Sequence, residues 1–275
     1  MTILSKRAAE RIGQTRLFLL DLDGTVYLGN RLINGAAAFI ENLRRRNIPY
    51  VFLTNNSSEC AAGYVKKINR IGIPAGRDNV FTSGQAAGMW LARKKRGALV
   101  YVLGTAALRR ELASYGCRIS DGRGRVDFMV AGFDTELNYK KLLIACELLD
   151  KGAGYIATNP DWVCPVGGGR YIPDCGSMCF MLERATGRKP LVIGKPRPDM
   201  VRLLCAKHGV APGRCAMIGD RLYTDIAAGK NAGVLSVCVL SGETTAADVR
   251  KSTIKPDIVV RSIDDLNPAV SSGPP

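Results

Sequence analysis

Short apolar runs alternate with longer amphipathic stretches along almost the whole chain, and this alternation restricts it to an α/β protein built on a largely parallel sheet. A parallel strand covered on both faces reads as a continuous apolar run. Such runs stand at 17–20, 50–53, 99–103, 128–130, 155–157, 191–193, 215–218 and 235–239. The intervening patterns predict helices over 35–46, 61–71, 85–95, 139–150, 178–186, 199–207 and 223–231. No internal repeat is present, and the one low-complexity segment is the closing SSGPP.

Four polar clusters each follow an apolar run: DLDGT at 21–25, TNNSS at 54–58, GKPRP at 194–198 and GDRLYTD at 219–225. Open α/β sheets place their ligands at this carboxyl edge of the strands. The first two clusters are close in sequence, as are the last two, and the long stretch between the pairs has β and α runs of its own. That arrangement predicts a core formed by 1–81 and 183–275, interrupted by an inserted α/β domain over 82–182.

Composition removes several classes of function. No apolar run approaches the roughly 18 residues of a membrane helix, and the charged N-terminus is unlike a signal peptide, so a cytoplasmic protein is expected. Nine cysteines without a C-x-x-C pair suit buried thiols in a reducing compartment. Cys175 and Cys179 would share a helix face as metal ligands, but nothing nearby completes such a site. The net charge of +15 invites a nucleic-acid reading, yet the runs Arg44–Arg46 and Arg93–Arg96 fall where predicted helices end and suit the helix dipole. With His208 the only histidine, placed at a predicted helix C-terminus, most histidine chemistry is excluded.

The clusters themselves carry chemistry. Asp21 and Asp23 are two apart after LFLL, so an extended backbone turns both carboxylates to one side, with Gly24 allowing a sharp turn. One can attack while the other exchanges protons, although Asp and Gly also end strands without catalysing anything. Asp220 likewise follows an apolar run. Like charges ~4 Å apart at an effective dielectric near 20 repel by roughly 4 kcal/mol per pair, so convergence of Asp220 with Asp21 and Asp23 implies a cation. An all-oxygen carboxylate site suits Mg²⁺. Asp225 fits either that site or the cap of the following helix. Thr54 and Asn55 offer a hydroxyl, an amide and backbone N–H groups for an anion at a predicted helix start, where Ser57 and Ser58 equally suit simple caps. Lys195 stands at a strand end as a point charge for a phosphate oxygen or for the attacking carboxylate.

Taken in order, DLDGT, TNN, GKP and GDRLYTD resemble the four motifs of the haloacid dehalogenase-like hydrolases. With TNPD at 158–161 and ATGRKP before the third motif, the chain resembles their NagD-like, p-nitrophenyl-phosphatase-like branch from about Leu17 to Leu266. The resemblance implies a Rossmann-like parallel sheet core with an inserted α/β cap between the second and third motifs. It implies Asp21 as nucleophile and Asp23 as general acid and base. Mg²⁺ would be held by the Asp21 carboxylate, the Asp23 backbone carbonyl and the Asp220 carboxylate, with Asp225 orienting the surroundings. Thr54 and Asn55 would bind the phosphoryl group, and Lys195 would neutralise it. The sequence departs at Tyr223, where relatives often carry a second acid.

The expected reaction is therefore hydrolysis of a small-molecule phosphate monoester through an aspartyl phosphate. Two alternatives are a phosphotransferase or phosphomutase on the same fold, and a basic nucleic-acid-binding or regulatory protein on an inactive one. Intact Asp21, Asp23, Lys195 and Asp220 oppose the latter. Specificity is expected in the stretch 159–177, where Asn159, Asp161, Trp162 and Arg170 are candidate substrate contacts. Trp162 would stack on a ring or join the cap core, and Arg170 would meet a second anion. Caps of this kind often pair subunits, so a homo-oligomer through the cap is a further expectation.

Overall fold

The computed structural model describes residues 4–167 and 170–272. Of the stretch 159–177, Gly168 and Gly169 lie outside the described residues, as do the last three residues of the closing SSGPP. The strands in chain order are β1 (Leu17–Leu20), β2 (Tyr27–Leu28), β3 (Arg31–Leu32), β4 (Tyr50–Thr54), β5 (Val80–Thr82), β6 (Leu99–Leu103), β7 (Arg118–Ile119), β8 (Phe128–Ala131), β9 (Gly154–Ala157), β10 (Val163–Gly167), β11 (Arg170–Pro173), β12 (Leu191–Val192), β13 (Cys215–Gly219), β14 (Leu235–Val239) and β15 (Ile258–Val260).

A six-stranded sheet has the order β15-β14-β13-β1-β4-β5. β1 is paired in parallel with β13 on one side and β4 on the other. All four residues of β1 and all five of β4 and of β13 are buried, as strands covered on both faces require. Chain order reverses across β1, which makes the carboxyl ends of β1 and β13 a topological switch point. A second, five-stranded sheet, in the order β12-β9-β8-β6-β7, is also parallel. Hairpins β2–β3 and β10–β11 are antiparallel.

The chain divides into two compact units, one comprising Met1–Leu53, Val65–Val80 and Lys195–Pro275, the other Thr54–Tyr64 and Phe81–Gly194. In the second unit Tyr101, Met129, Leu149 and Tyr155 pack with Cys175 and Cys179 in a common core, so these thiols are apolar filling. Helix starts follow their chemistry. Thr82 caps Ser83–Lys94 in a reciprocal capping box with Gln85, and Asn138 caps Tyr139–Asp150. Both basic runs fall at helix ends: Arg44 and Arg45 in the last turn of Ala36–Arg45, Arg93 and Lys94 in that of Ser83–Lys94.

The helix predicted over 223–231 begins as a π turn, Leu222–Ile226, before the α-helix Ala227–Ala232. Among the described residues no helix is long and apolar enough to cross a membrane.

Candidate active site

The site grows from the ends of two neighbouring strands. Leu20 of β1 is in register with Ile218 of β13, and the Asp21 N–H donates to the Ile218 carbonyl at 2.9 Å. Parallel pairing thus delivers Asp21 and Asp220 to the same edge. Asp225 joins them from the π turn, and the carboxylates of Asp21, Asp220 and Asp225 offer oxygens that all lie within 4.8 Å of one another.

Lys195 answers part of this charge. Its Nζ donates to Asp21 Oδ1 and to Asp225 Oδ1, each at 2.6 Å, and to the Leu53 carbonyl at 2.9 Å. Only 1% of the residue is exposed. Burial works to lower its pKa, but the carboxylates of Asp21 and Asp225 outweigh it and raise it, so the ammonium stays protonated. Asp225 Oδ2 also accepts the Arg221 N–H at 3.1 Å, which makes Asp225 at once a partner of Lys195 and a support of its own turn.

Asp220 is held differently. Its Oδ2 accepts the Glu243 N–H at 2.7 Å, whereas Oδ1 is buried with no hydrogen-bond partner. Gly24, at φ +86°, and Gly242 both approach so closely that a Cβ on either would collide with the Asp220 carboxylate. Burial first, and Asp225 second, push its pKa up to about 7. Asp21 is also raised, by burial and then by Asp225, with Lys195 pulling it back. Three crowded carboxylates, one ammonium and an orphaned buried oxygen form a set that fits a hard divalent cation.

Asp23 faces Tyr27, whose hydroxyl lies 3.4 Å from Asp23 Oδ2, and the Lys67 ammonium sits 4.0 Å from the centre of the Tyr27 ring. Burial raises the Asp23 pKa, the nearby Lys67 charge opposing it, which favours the protonated acid.

The other predicted residues lie in the second unit. The Thr54 hydroxyl accepts the Asn56 N–H at 3.1 Å, and the Asn56 side chain accepts the Ser58 N–H at 2.9 Å. These local turns satisfy backbone groups that a helix would otherwise use, and the helix starts at Ala61, where its pattern predicts it, so neither Thr54 nor Asn55 stands at its N-terminus. Ser57 is no cap either: its hydroxyl bonds Thr158 Oγ1 at 2.8 Å and accepts the Phe133 N–H at 3.0 Å. The Asn55 amide donates to Asp161 Oδ2 at 2.8 Å, and Asn159 donates to the same oxygen at 2.9 Å and to Asp174 Oδ1 at 3.1 Å. Trp162 is 54% exposed, its ring edge-on to Phe180 at 5.7 Å, so it is not buried core. Arg170 opens β11 and is exposed.

Sequence reasoning missed Tyr27 and the loop 241–244. The loop meets the Asp220 carboxylate through a backbone N–H and a glycine's lack of a side chain, and the signal of that in the sequence is Gly242 at the carboxyl end of the strand beside β13.

A haloacid dehalogenase-like hydrolase family matches residues 18–118, and an HAD-hydrolase-like family matches 192–266. The structure superposes on a 4-nitrophenylphosphatase from Thermotoga maritima with a TM-score of 0.90 at 42% identity, covering 94% of this chain and 99% of that one. An acid sugar phosphatase of Staphylococcus saprophyticus is 34% identical over 91% of this chain and 96% of its own length. A glycerol phosphate phosphatase from Mycobacterium tuberculosis, solved in complex with magnesium, gives a TM-score of 0.87 at 31% identity, over 94% of this chain and 78% of that one. The chain belongs to the haloacid dehalogenase-like hydrolases, with a Rossmann-like parallel sheet core and an inserted α/β cap domain. Within them it falls in the NagD-like branch and is a phosphatase.

Proposed function

We propose that the chain hydrolyses small-molecule phosphate monoesters, such as sugar phosphates or nucleoside monophosphates, in an Mg²⁺-dependent reaction through an aspartyl phosphate on Asp21. The observation that carries this reading is the Lys195 ammonium bonded to both Asp21 and Asp225, with the unpartnered oxygen of Asp220 in the same cluster. Mg²⁺ would be held by the Asp21 and Asp220 carboxylates and the Asp23 carbonyl, with Asp225 and Lys195 orienting them, and would supply the positive charge that lets the acids ionise together.

The chain's own residues divide the remaining work. A carboxylate oxygen of Asp21 attacks phosphorus, the ester P–O bond breaks, and Asp23 gives its proton to the departing alkoxide. A water then attacks the aspartyl phosphate, Asp23 takes its proton, and the bond between phosphorus and Asp21 breaks to release inorganic phosphate. The raised pKa of Asp23 supports its starting as the acid. Lys195 orients Asp21 and neutralises charge on the phosphoryl oxygens. Thr54 and Asn55 are assigned to hold those oxygens. A Thr54 hydroxyl that accepts from the Asn56 N–H still has its own proton to donate. The stretch 82–182 is assigned the role of a cap that sets which ester is accepted. The exposed ring of Trp162 and the exposed Arg170 are its candidate contacts, while Asn159 and Asp161 are buried and bond to each other, to Asn55 and to Asp174.

Rapid-quench mixing with mass analysis tests the roles. Asp21→Asn should give no burst and no adduct with any ester. Asp23→Asn should release a burst of 4-nitrophenol from 4-nitrophenyl phosphate, whose leaving group needs no acid, then stall with phosphate trapped on the Asp21 peptide. It should be nearly inactive on alkyl phosphates. Parental turnover of alkyl phosphates by Asp23→Asn, or a burst from Asp21→Asn, would show the assignment to be wrong.

A further inference from the structure

Asp220 is one residue past β13, yet what holds its carboxylate comes from the loop after β14. The Glu243 N–H takes Oδ2 at 2.7 Å and the Thr244 N–H donates to the Asp220 carbonyl at 3.2 Å. The same loop is tied at two further points. Ser241 Oγ donates to the Gly24 carbonyl at 2.7 Å, in the turn that follows Asp21 and Asp23. The Arg221 guanidinium pairs with the Glu243 carboxylate at 2.9 Å, and Arg221 is only 13% exposed in its side chain. Gly242 stands between these ties, its backbone against the Asp220 carboxylate where no side chain would fit.

We propose that residues Ser241–Thr244 form a strap that fixes the Asp220 carboxylate so that Oδ2 is occupied by the chain and Oδ1 faces the cation, with Arg221 and Glu243 as positioning residues. This rests on the Mg²⁺ reading above. A carboxylate free to rotate presents either oxygen and loses orientational freedom when it binds. One already crowded at Oδ2 by Gly24 and Gly242 and hydrogen-bonded there loses much less. The strap touches neither substrate nor the reacting atoms. It acts on cation affinity through Asp220.

Titration calorimetry of chelator-stripped protein with Mg²⁺ reads the affinity directly, without turnover. Gly242→Ala should weaken binding about 10- to 100-fold, the range for partners that orient metal ligands, and Ser241→Ala by a few-fold. Arg221→Gln separates the strap from simple charge effects. Removing a cation near Asp220 should tighten Mg²⁺ binding if only Coulomb attraction acts, whereas loosening the strap should weaken it about 3- to 10-fold. Thermal midpoints and circular dichroism establish that each variant is folded. Should Gly242→Ala fail to fold, Arg221→Gln and Ser241→Ala still decide. Parental or tighter binding by folded Arg221→Gln overturns the strap. If the parent protein itself takes up no Mg²⁺, the metal reading fails first, and the strap fails with it.

Discussion

Each of the two compact units buries a cluster of acids, and the two clusters are answered in opposite ways. In the second unit Asp161 and Asp174 sit among neutral amides. Asn159 donates to both, Asn55 donates to Asp161, and the N–H of Cys175 donates to Asp174. In the first unit Asp21, Asp220 and Asp225 crowd within 4.8 Å around a single ammonium, and Asp220 Oδ1 is left without a partner. Fully partnered buried polar groups hold a fold in one arrangement. Under-compensated charge at a strand edge is held by the rest of the fold against its own repulsion, and the proposed place for a cation and a phosphate is there.

The largest expected contrast comes from Lys195→Met. Removing its ammonium leaves Asp21 and Asp225 buried against each other, and loss of one partner from a buried ion pair costs about 3–5 kcal/mol. Denaturant unfolding of metal-free protein should show that loss, and 4-nitrophenyl phosphate turnover should fall by about 10³-fold, as for removal of a preorganised charge. A variant with parental stability and turnover would remove Lys195 from the centre of the site.

The second contrast is with pH. Asp220 titrates at about 7 in the metal-free fold and near 3.9 when unfolded. Between those values the folded state holds a proton that the unfolded state has released, so stability falls as pH rises through the interval and the loss is complete above the folded pKa. The raised pKa values of Asp21 and Asp23 act in the same direction. Chelated protein should therefore have a lower thermal midpoint at about pH 8 than at about pH 5.5, and the increment from added Mg²⁺ should grow over the same range, because the cation needs ionised ligands. An Mg²⁺ increment independent of pH would contradict this account of the cluster.

The smallest effect is expected in the partnered network. Asp161→Ala strands the amides of Asn55 and Asn159, which costs about 1–3 kcal/mol per buried unsatisfied group. Stability should drop while 4-nitrophenyl phosphate turnover by the folded fraction changes less than about tenfold, far less than for Lys195→Met. Equal catalytic losses in the two variants would erase the distinction between the clusters.

The sequence by itself determined the α/β class, eight of the strands, and the acids and lysine that the fold gathers into one cluster. Each of these is written locally: a run buried on both faces, then a charged residue where the strand ends. It left β5 and β15 unread because three residues hold too little periodicity, and the hairpin β10–β11 because Pro165 and Gly167 interrupt its first strand. It placed the next helix correctly from Ala61 but set Thr54 and Asn55 at a helix start, where the structure has local turns instead. Only the tertiary structure decided that β1 lies between β13 and β4, which brings Asp21 beside Asp220 across the chain. Only it decided that Lys195 bridges Asp21 and Asp225, and that a backbone N–H at Glu243 and two bare glycines shape Asp220. Backbone donors and absent side chains act through proximity alone, so they become visible only once the sheet has brought distant strand ends together.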